Sequence, residues 1–201
     1  MDAGIGFEIG IPTIRAPRAH VHARAPMNSM YPKKTNGKKS PRSQSETAAP
    51  SPRGRTQVRR SGVHGKGVFA LKPIPAGTRI IEYTGDIITW KAAQKRHPHD
   101  PDDPNHTFFF HIDDKRVIDG GTGGSAKWIN HACDPNCEAD EDEEAGRVFI
   151  KALRDIEPGE ELNYDYGLVL EGRHTRKAKE QFACRCGSRK CRGTMLAPKG
   201  R

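Results

Sequence analysis

Eleven positions, Trp128-Ile-Asn-His-Ala-Cys-Asp-Pro-Asn-Cys-Glu138, hold two thiols, an imidazole and two carboxamides. Further along, Cys184-Arg-Cys186 and Cys191 place three more thiols within eight positions. Three thiolates in a short irregular segment supply most of a structural zinc site, which needs four ligands in a tetrahedron. The fourth must come from elsewhere, and the residues alone leave Cys133, Cys137, His131 and His174 as candidates. A Cys/His protease pair at His131 and Cys133 is disfavoured, because nucleophile and base normally meet from distant segments rather than two residues apart. Gly65-Lys66-Gly67, ahead of an apolar run, reads by itself as a tight turn, since a lone Gly-x-Gly is a weak ligand signal. Tyr83 and Tyr164-Asp165-Tyr166 read by themselves as packed aromatics at strand ends.

The elements that must position these groups are short. Gly67 to Leu71, Arg79 to Thr84, Thr107 to Ile112, Arg116 to Ile118 and Arg147 to Ala152 are rich in Val, Ile, Phe and Thr and bounded by Gly, Pro or Asp, which predicts strands. Trp90 to His97, with Thr89 as N-cap and Pro98 as terminator, predicts a helix. Two eleven-residue stretches, Ala70 to Ile80 and Ala152 to Leu162, match without a gap at apolar, turn and glycine positions. Each predicts strand, Pro-containing corner, Gly, strand, and each delivers tyrosines: Tyr83 after the first, Tyr164 and Tyr166 after the second. Asp140 to Glu144 reads as a charged hairpin tip, with an acidic guide for a basic peptide as its functional reading. The expected fold is mostly β with minor helix.

Of 201 residues only 34% are hydrophobic, and mean hydropathy is −0.79, so part of the chain is expected to be unfolded. Charge shows which part. Residues 1–60 carry 12 Lys/Arg against Asp2, Glu8 and Glu46, while residues 61–201 hold 22 basic and 22 acidic side chains. Residues 1–60 therefore read as a disordered basic arm, suited to contact with nucleic acid or an acidic partner. No run approaches the roughly 18 apolar residues that span a bilayer, and Met1 to Pro12 does not resemble a cleaved signal peptide. A transmembrane or exported protein is not expected, and five cysteines, an odd number, suit a reducing intracellular compartment.

Taken in order, Gly65 to Ala70, Glu82-Tyr-Thr-Gly-Asp86, Asn130-His-Ala-Cys-Asp-Pro-Asn136, Gly159-Glu-Glu-Leu-Asn-Tyr-Asp-Tyr166 and Cys184-x-Cys186-x4-Cys191 closely resemble the SET-domain protein-lysine methyltransferases with a post-SET zinc segment. The resemblance covers residues 61 to about 196. It implies a SET fold of small β-sheets with a threaded pseudoknot, divided as an arm at 1–60, a SET domain at 61–170 and a post-SET zinc segment and tail at 171–201. It also implies S-adenosylmethionine as methyl donor, contacted by Gly65, Lys66, Gly67, Phe108, Asn130 and His131. Tyr166 matches the catalytic tyrosine, Tyr83 a wall of the lysine channel, and Tyr164 a position where Tyr limits methylation to one or two methyl groups. The zinc ligands implied are Cys133, Cys184, Cys186 and Cys191, which leaves Cys137 a spare thiol.

The implied substrate is a basic protein, histone or histone-like, and the expected state is a monomer. Location follows the substrate: cytoplasm in a bacterium, nucleus or chromosome with histones. The sequence departs from the family in lacking a cysteine-rich pre-SET segment and in the short glycine-rich Gly120 to Gly124 run before Asn130, so site specificity on histones does not carry over. The alternative reading is a noncatalytic chromatin or nucleic-acid binding module.

Overall fold

A computed structural model describes residues 14, 54–96, 108–113, 115–142, 145–170 and 173–198. The expected disorder of the basic arm lies largely outside these residues. Within them the fold starts earlier than residue 61: Thr56–Arg60 forms strand β1, antiparallel to β2 (Lys66–Ala70). Ile14, also assigned to the arm, is buried and bridges Phe110.

Among the described residues the architecture is mostly β with two short α-helices and two single-turn 3-10 helices. Strands β4 (Asp86–Thr89), β6 (Arg116–Asp119) and β5 (Phe109–His111) form one antiparallel sheet in the order β4-β6-β5. Helix α1 (Trp90–Arg96) continues directly from β4, with the Thr89 hydroxyl accepting from the Ala92 amide at 3.2 Å as the sequence predicts.

A five-stranded sheet runs β3-β9-β8-β10-β7, from β3 (Arg79–Glu82), β9 (Arg147–Ala152), β8 (Cys137–Asp142), β10 (Asn163–Tyr164) and β7 (Asn130–His131). Of the expected hairpin tip at Asp140 to Glu144, Asp140 to Asp142 end β8, which pairs through Asp142 with Arg147, while Glu143 and Glu144 lie outside the described residues and Ala145-Gly146 turn into β9. Acidic residues persist in β8 because Asp140 and Glu138 meet Arg79 and Lys151 across the sheet.

The two matched corners pack on each other with local twofold symmetry. Gly77 N–H donates to Ala152 O and Gly159 N–H donates to Ala70 O, both at 2.8 Å, and Ile74 and Ile156 exchange two 2.9 Å bonds. Both glycines need a left-handed backbone, with φ of 79° and 90°. Their isoleucines and leucine, Ile74, Ile80, Ile156 and Leu162, enter one core with Val68, Phe110, Ile150 and Tyr164.

The corner also determines how the site is threaded. Strand β10, which follows the second corner, inserts in parallel between β7 and β8, pairing Asn163 with Asn130 and Tyr164 with both His131 and Cys137. Asn136 and Asn163 fix the crossing with reciprocal amide bonds of 3.0 and 2.9 Å. In this way chain segments thirty residues apart in sequence lie side by side.

Candidate active site and metal centre

Three tyrosines converge behind this crossing. Tyr164, on β10, is fully buried, and its ring centroid lies 5.0 Å from that of Tyr166. The Tyr166 hydroxyl donates to Ile129 O and the Tyr83 hydroxyl to Phe108 O, each at 2.7 Å. Burial pushes all three phenols above the ordinary tyrosine range. They are neutral hydrogen-bonding groups at any physiological pH, not bases.

Glycines hold Tyr83 in place. A Cβ at Gly120 would lie 2.7 Å from the Tyr83 hydroxyl, and one at Gly123 would lie 1.7 Å from Thr84 O. In the run Gly120 to Gly124, Gly120 thus passes against the Tyr83 ring, and Gly123 against the Thr84 carbonyl. Asp119 anchors its start, accepting from Gly121 N at 2.9 Å and from Arg96 Nη1 at 2.9 Å. Gly120→Ala forces a shift of a buried ring in a packed site and is expected to cost about 1–3 kcal/mol. Thermal unfolding of the variant against wild type checks this.

The loop Gly65-Lys66-Gly67 joins the crossing through Asn130. Gly65 is left-handed, with φ 44°. Gly67 has ordinary φ, but a Cβ there would fall 2.3 Å from Glu161 Oε1. The Glu161 carboxylate bonds Ser61 Oγ at 2.7 and 2.9 Å and accepts from Asn130 Nδ2 at 2.8 Å. Asn130 Nδ2 also donates to Lys66 O at 2.9 Å, so buried Asn130 ties the glycine loop to the crossing. The Lys66 ammonium sits 4.5 Å over the Trp128 ring, and Phe108 meets that ring edge-on at 5.5 Å. Sequence reasoning missed Trp128, Ser61 and Glu161. An aromatic beside the Asn-His pair was a signal for Trp128, whereas the Ser61–Glu161 contact spans a hundred residues and leaves no local trace.

His131 links this centre to the thiols. Its Nδ1 accepts from the Tyr166 amide at 3.1 Å, which places the remaining proton on Nε2, facing Cys133 Sγ at 3.4 Å. Burial, aided by Arg192 and opposed by Asp165, lowers its pKa to about 4, so the ring is neutral. With both nitrogens engaged, contact with any further ligand falls to its main chain or ring carbons.

Sγ atoms of Cys133, Cys184, Cys186 and Cys191 all lie within 4.8 Å of one another, with Cys133 and Cys184 at 3.7 Å. A tetrahedron with Zn–S bonds of about 2.3 Å has edges of about 3.8 Å, so the donor set and spacing fit Zn²⁺. Main-chain amides of Cys186, Arg192 and Gly193 approach the sulfurs of Cys184, Cys133 and Cys191 at 3.3 to 3.4 Å, as suits thiolates. Gly187 and Gly193 make the left-handed turns of the loop. Cys137 lies outside the cluster, fully buried on β8, and burial pushes its pKa up to about 12; this inert thiol packs as a small apolar residue. His174 is also outside it. Arg192 then bonds both Asp165 oxygens, at 2.6 and 2.8 Å. Burial raises the Asp165 pKa, but the Arg192 pair and the Gly167 amide outweigh it and hold the carboxyl below its ordinary range. The thiol segment is thereby fastened to the residue between Tyr164 and Tyr166.

Residues 65–167 match the family model described as SET domain. The chain is 38% identical over 138 residues to histone-lysine N-methyltransferase trithorax of Drosophila melanogaster, covering 67% of this chain and 4% of that protein. It is 40% identical over 140 residues to the H3 lysine-4 specific histone-lysine N-methyltransferase of Candida albicans, covering 68% and 13%. To histone-lysine N-methyltransferase 2B of Homo sapiens it is 37% identical over 138 residues, covering 67% and 5%. The chain thus spans a small fraction of the length of these relatives.

Proposed function

The chain belongs to the SET-domain family, and on that footing we propose that it is a protein-lysine N-methyltransferase acting on a histone or histone-like protein. Convergence of Tyr83, Tyr164 and Tyr166 on one buried centre supports this reading most directly. S-adenosylmethionine, when bound, supplies an electrophilic methyl group on a sulfonium. A left-handed glycine turn, a cation and an aromatic face stand side by side at Gly65, Lys66 and Trp128. Together with Gly67, Phe108, Asn130 and His131 they would hold such a ligand.

The demand on the protein is to hold a neutral amine in line with that methyl group. Lysine has a reference pKa of about 10.4, so its deprotonation at pH 7 costs roughly 4–5 kcal/mol. A dry wall of tyrosine rings penalises the ammonium form and lowers this cost. Neutral hydroxyls at Tyr166 and Tyr83 orient the amine without supplying a counter-charge that would hold its proton. Tyr164 adds a third hydroxyl and narrows the space for methyl groups, which yields mono- and dimethylation. Tyr164→Phe should shift the product toward more methyl groups per lysine; an unchanged product ratio in mass spectra counts against this role.

Residues 171–201 act as the zinc segment, with Cys133, Cys184, Cys186 and Cys191 as ligands, and close the channel by pinning Arg192 on Asp165. Among the described residues no helix is long and apolar enough to cross a membrane, and action on a histone would place the protein at chromatin. Relatives named for histone H3 lysine 4 make H3 the first substrate to test. Incubation with labelled S-adenosylmethionine, core histones and a cell lysate should label lysine in a basic protein. A wild-type protein that binds chromatin or nucleic acid yet labels nothing supports the noncatalytic module instead.

A further inference from the structure

The neutral balance of residues 61–201 conceals a division. Residues 61–170 hold 12 Lys/Arg against 20 Asp/Glu, a net of −8, whereas residues 171–201 hold 10 against 2, a net of +8. In the described part of that basic stretch, Lys190 pairs with Asp134, Arg192 with Asp165 and Arg176 with Glu180. Arg173, Lys177, Lys179, Arg185 and Arg189 are exposed and have no carboxylate partner among the described residues.

These cations are exposed along one short segment, and Lys179 lines a hollow that its helix shares with the thiol loop. Helix α2 (Arg176–Gln181), capped by the Thr175 hydroxyl on the Ala178 amide, buries only Ala178 and turns its cations outward. The thiol loop folds back on the helix end: Met195 N–H donates to Phe182 O at 2.8 Å and Cys184 N–H to Gly193 O at 3.2 Å. Helix and loop share a surface hollow of about 410 Å³, lined by His174, Arg176, Lys179, Glu180, Ala183 and Gly193.

We propose that this face, from Arg173 to Arg189, binds the phosphate backbone of double-stranded DNA, separately from the N-terminal arm. Its composition selects the ligand. The segment's one aromatic among the described residues, Phe182, is buried, so there is no platform on which the bases of a single strand stack. Three of the five unpaired cations are arginines, whose planar fork suits phosphate. An exposed cationic face without apolar contact area gains most from counterion release along a polyanion. A Zn²⁺ held by four thiolates adds −2 at the centre of the loop and leaves the outer face positive. Since residues 61–170 carry the opposite charge, a basic protein substrate and a DNA backbone have complementary places on one chain. DNA binding here does not depend on methyl transfer, so the two fail independently.

The test is fluorescence anisotropy of a short duplex of mixed sequence with the full chain across a range of salt concentrations. Variants carry Arg173/Lys177/Lys179→Gln, Arg185/Arg189→Gln, or all five. Each partial set should weaken binding, and all five should weaken it at least about tenfold at 0.1 M salt. The slope of log affinity against log salt should fall in size by about 4, near 0.9 per lost phosphate contact. In the Arg173/Lys177/Lys179→Gln variant, zinc content and methylation of a free histone peptide should remain at wild-type level. The helix variant lies outside the thiolate loop, so it stays informative even where loop substitutions disturb the metal. Wild-type affinity and slope in the fivefold variant overturn the proposal, because the arm then accounts for all binding. Binding of polyglutamate with no duplex binding also overturns it and assigns the face to an acidic protein.

Discussion

Tyr166→Phe is expected to lower kcat by two orders of magnitude or more while leaving the fold in place. The hydroxyl's bond to Ile129 O is worth about 0.5–1.5 kcal/mol to stability, which a folded domain tolerates. Its loss removes the group proposed to orient the amine, and each 1.36 kcal/mol of lost alignment is tenfold in rate. S-adenosylmethionine affinity should change little, because Gly65, Lys66 and Trp128 are untouched. The discriminating measurement is kcat beside cofactor affinity for the same preparation. A variant with wild-type turnover removes Tyr166 from the catalytic role, and one that fails to fold is recognised by its unfolding transition.

The second large effect concerns the metal. Cys133→Ser should lose bound zinc and methyl transfer together, whereas Cys137→Ser should keep both. A thiolate contributes to a tetrahedral site that three sulfurs and a hydroxyl hold far less well, and the loop from Cys184 to Gly193 has few apolar contacts of its own. Without it, Arg192 no longer reaches Asp165 from a fixed position, and His131 loses the sulfur beside Nε2. Both of its ties meet the residues that carry the tyrosines. Cys137 shares none of this, being packed on β8 beneath Ala152. Zinc quantified per chain by elemental analysis, alongside activity, separates the two thiols. The opposite pattern would transfer the ligand role to Cys137.

Much of this site was legible because its residue types are constrained by chemistry and lie close in sequence. The thiol spacing pointed to a four-ligand cluster, which Cys133, Cys184, Cys186 and Cys191 form, and the matched corners announced two equivalent turns that pack reciprocally through Gly77 and Gly159. What stayed hidden depended on distant contacts or on surfaces without apolar rhythm. Strand β1 is almost wholly exposed and rich in arginine, so no alternation marks it. Helix α2 buries one alanine, so no helical stripe marks it either. Glu161 reads as another surface acid until Ser61, Asn130 and Gly67 close around it. His131 looked like a ligand, yet its ring lies between the Cys133 sulfur and the Tyr166 amide, a role fixed only by the parallel pairing of β7 with β10. The zero net charge of residues 61–201 likewise hid two opposite halves.

The most direct measurement is transfer itself. Wild-type protein is incubated with S-adenosylmethionine and recombinant histone H3, and the histone is then read by mass spectrometry, with a cell lysate as a parallel substrate source. Methyl increments on lysine, one or two per site and absent with Tyr166→Phe, are the predicted result. Folded, zinc-loaded wild-type protein that binds S-adenosylmethionine yet adds no methyl group to any lysine in either sample would contradict it.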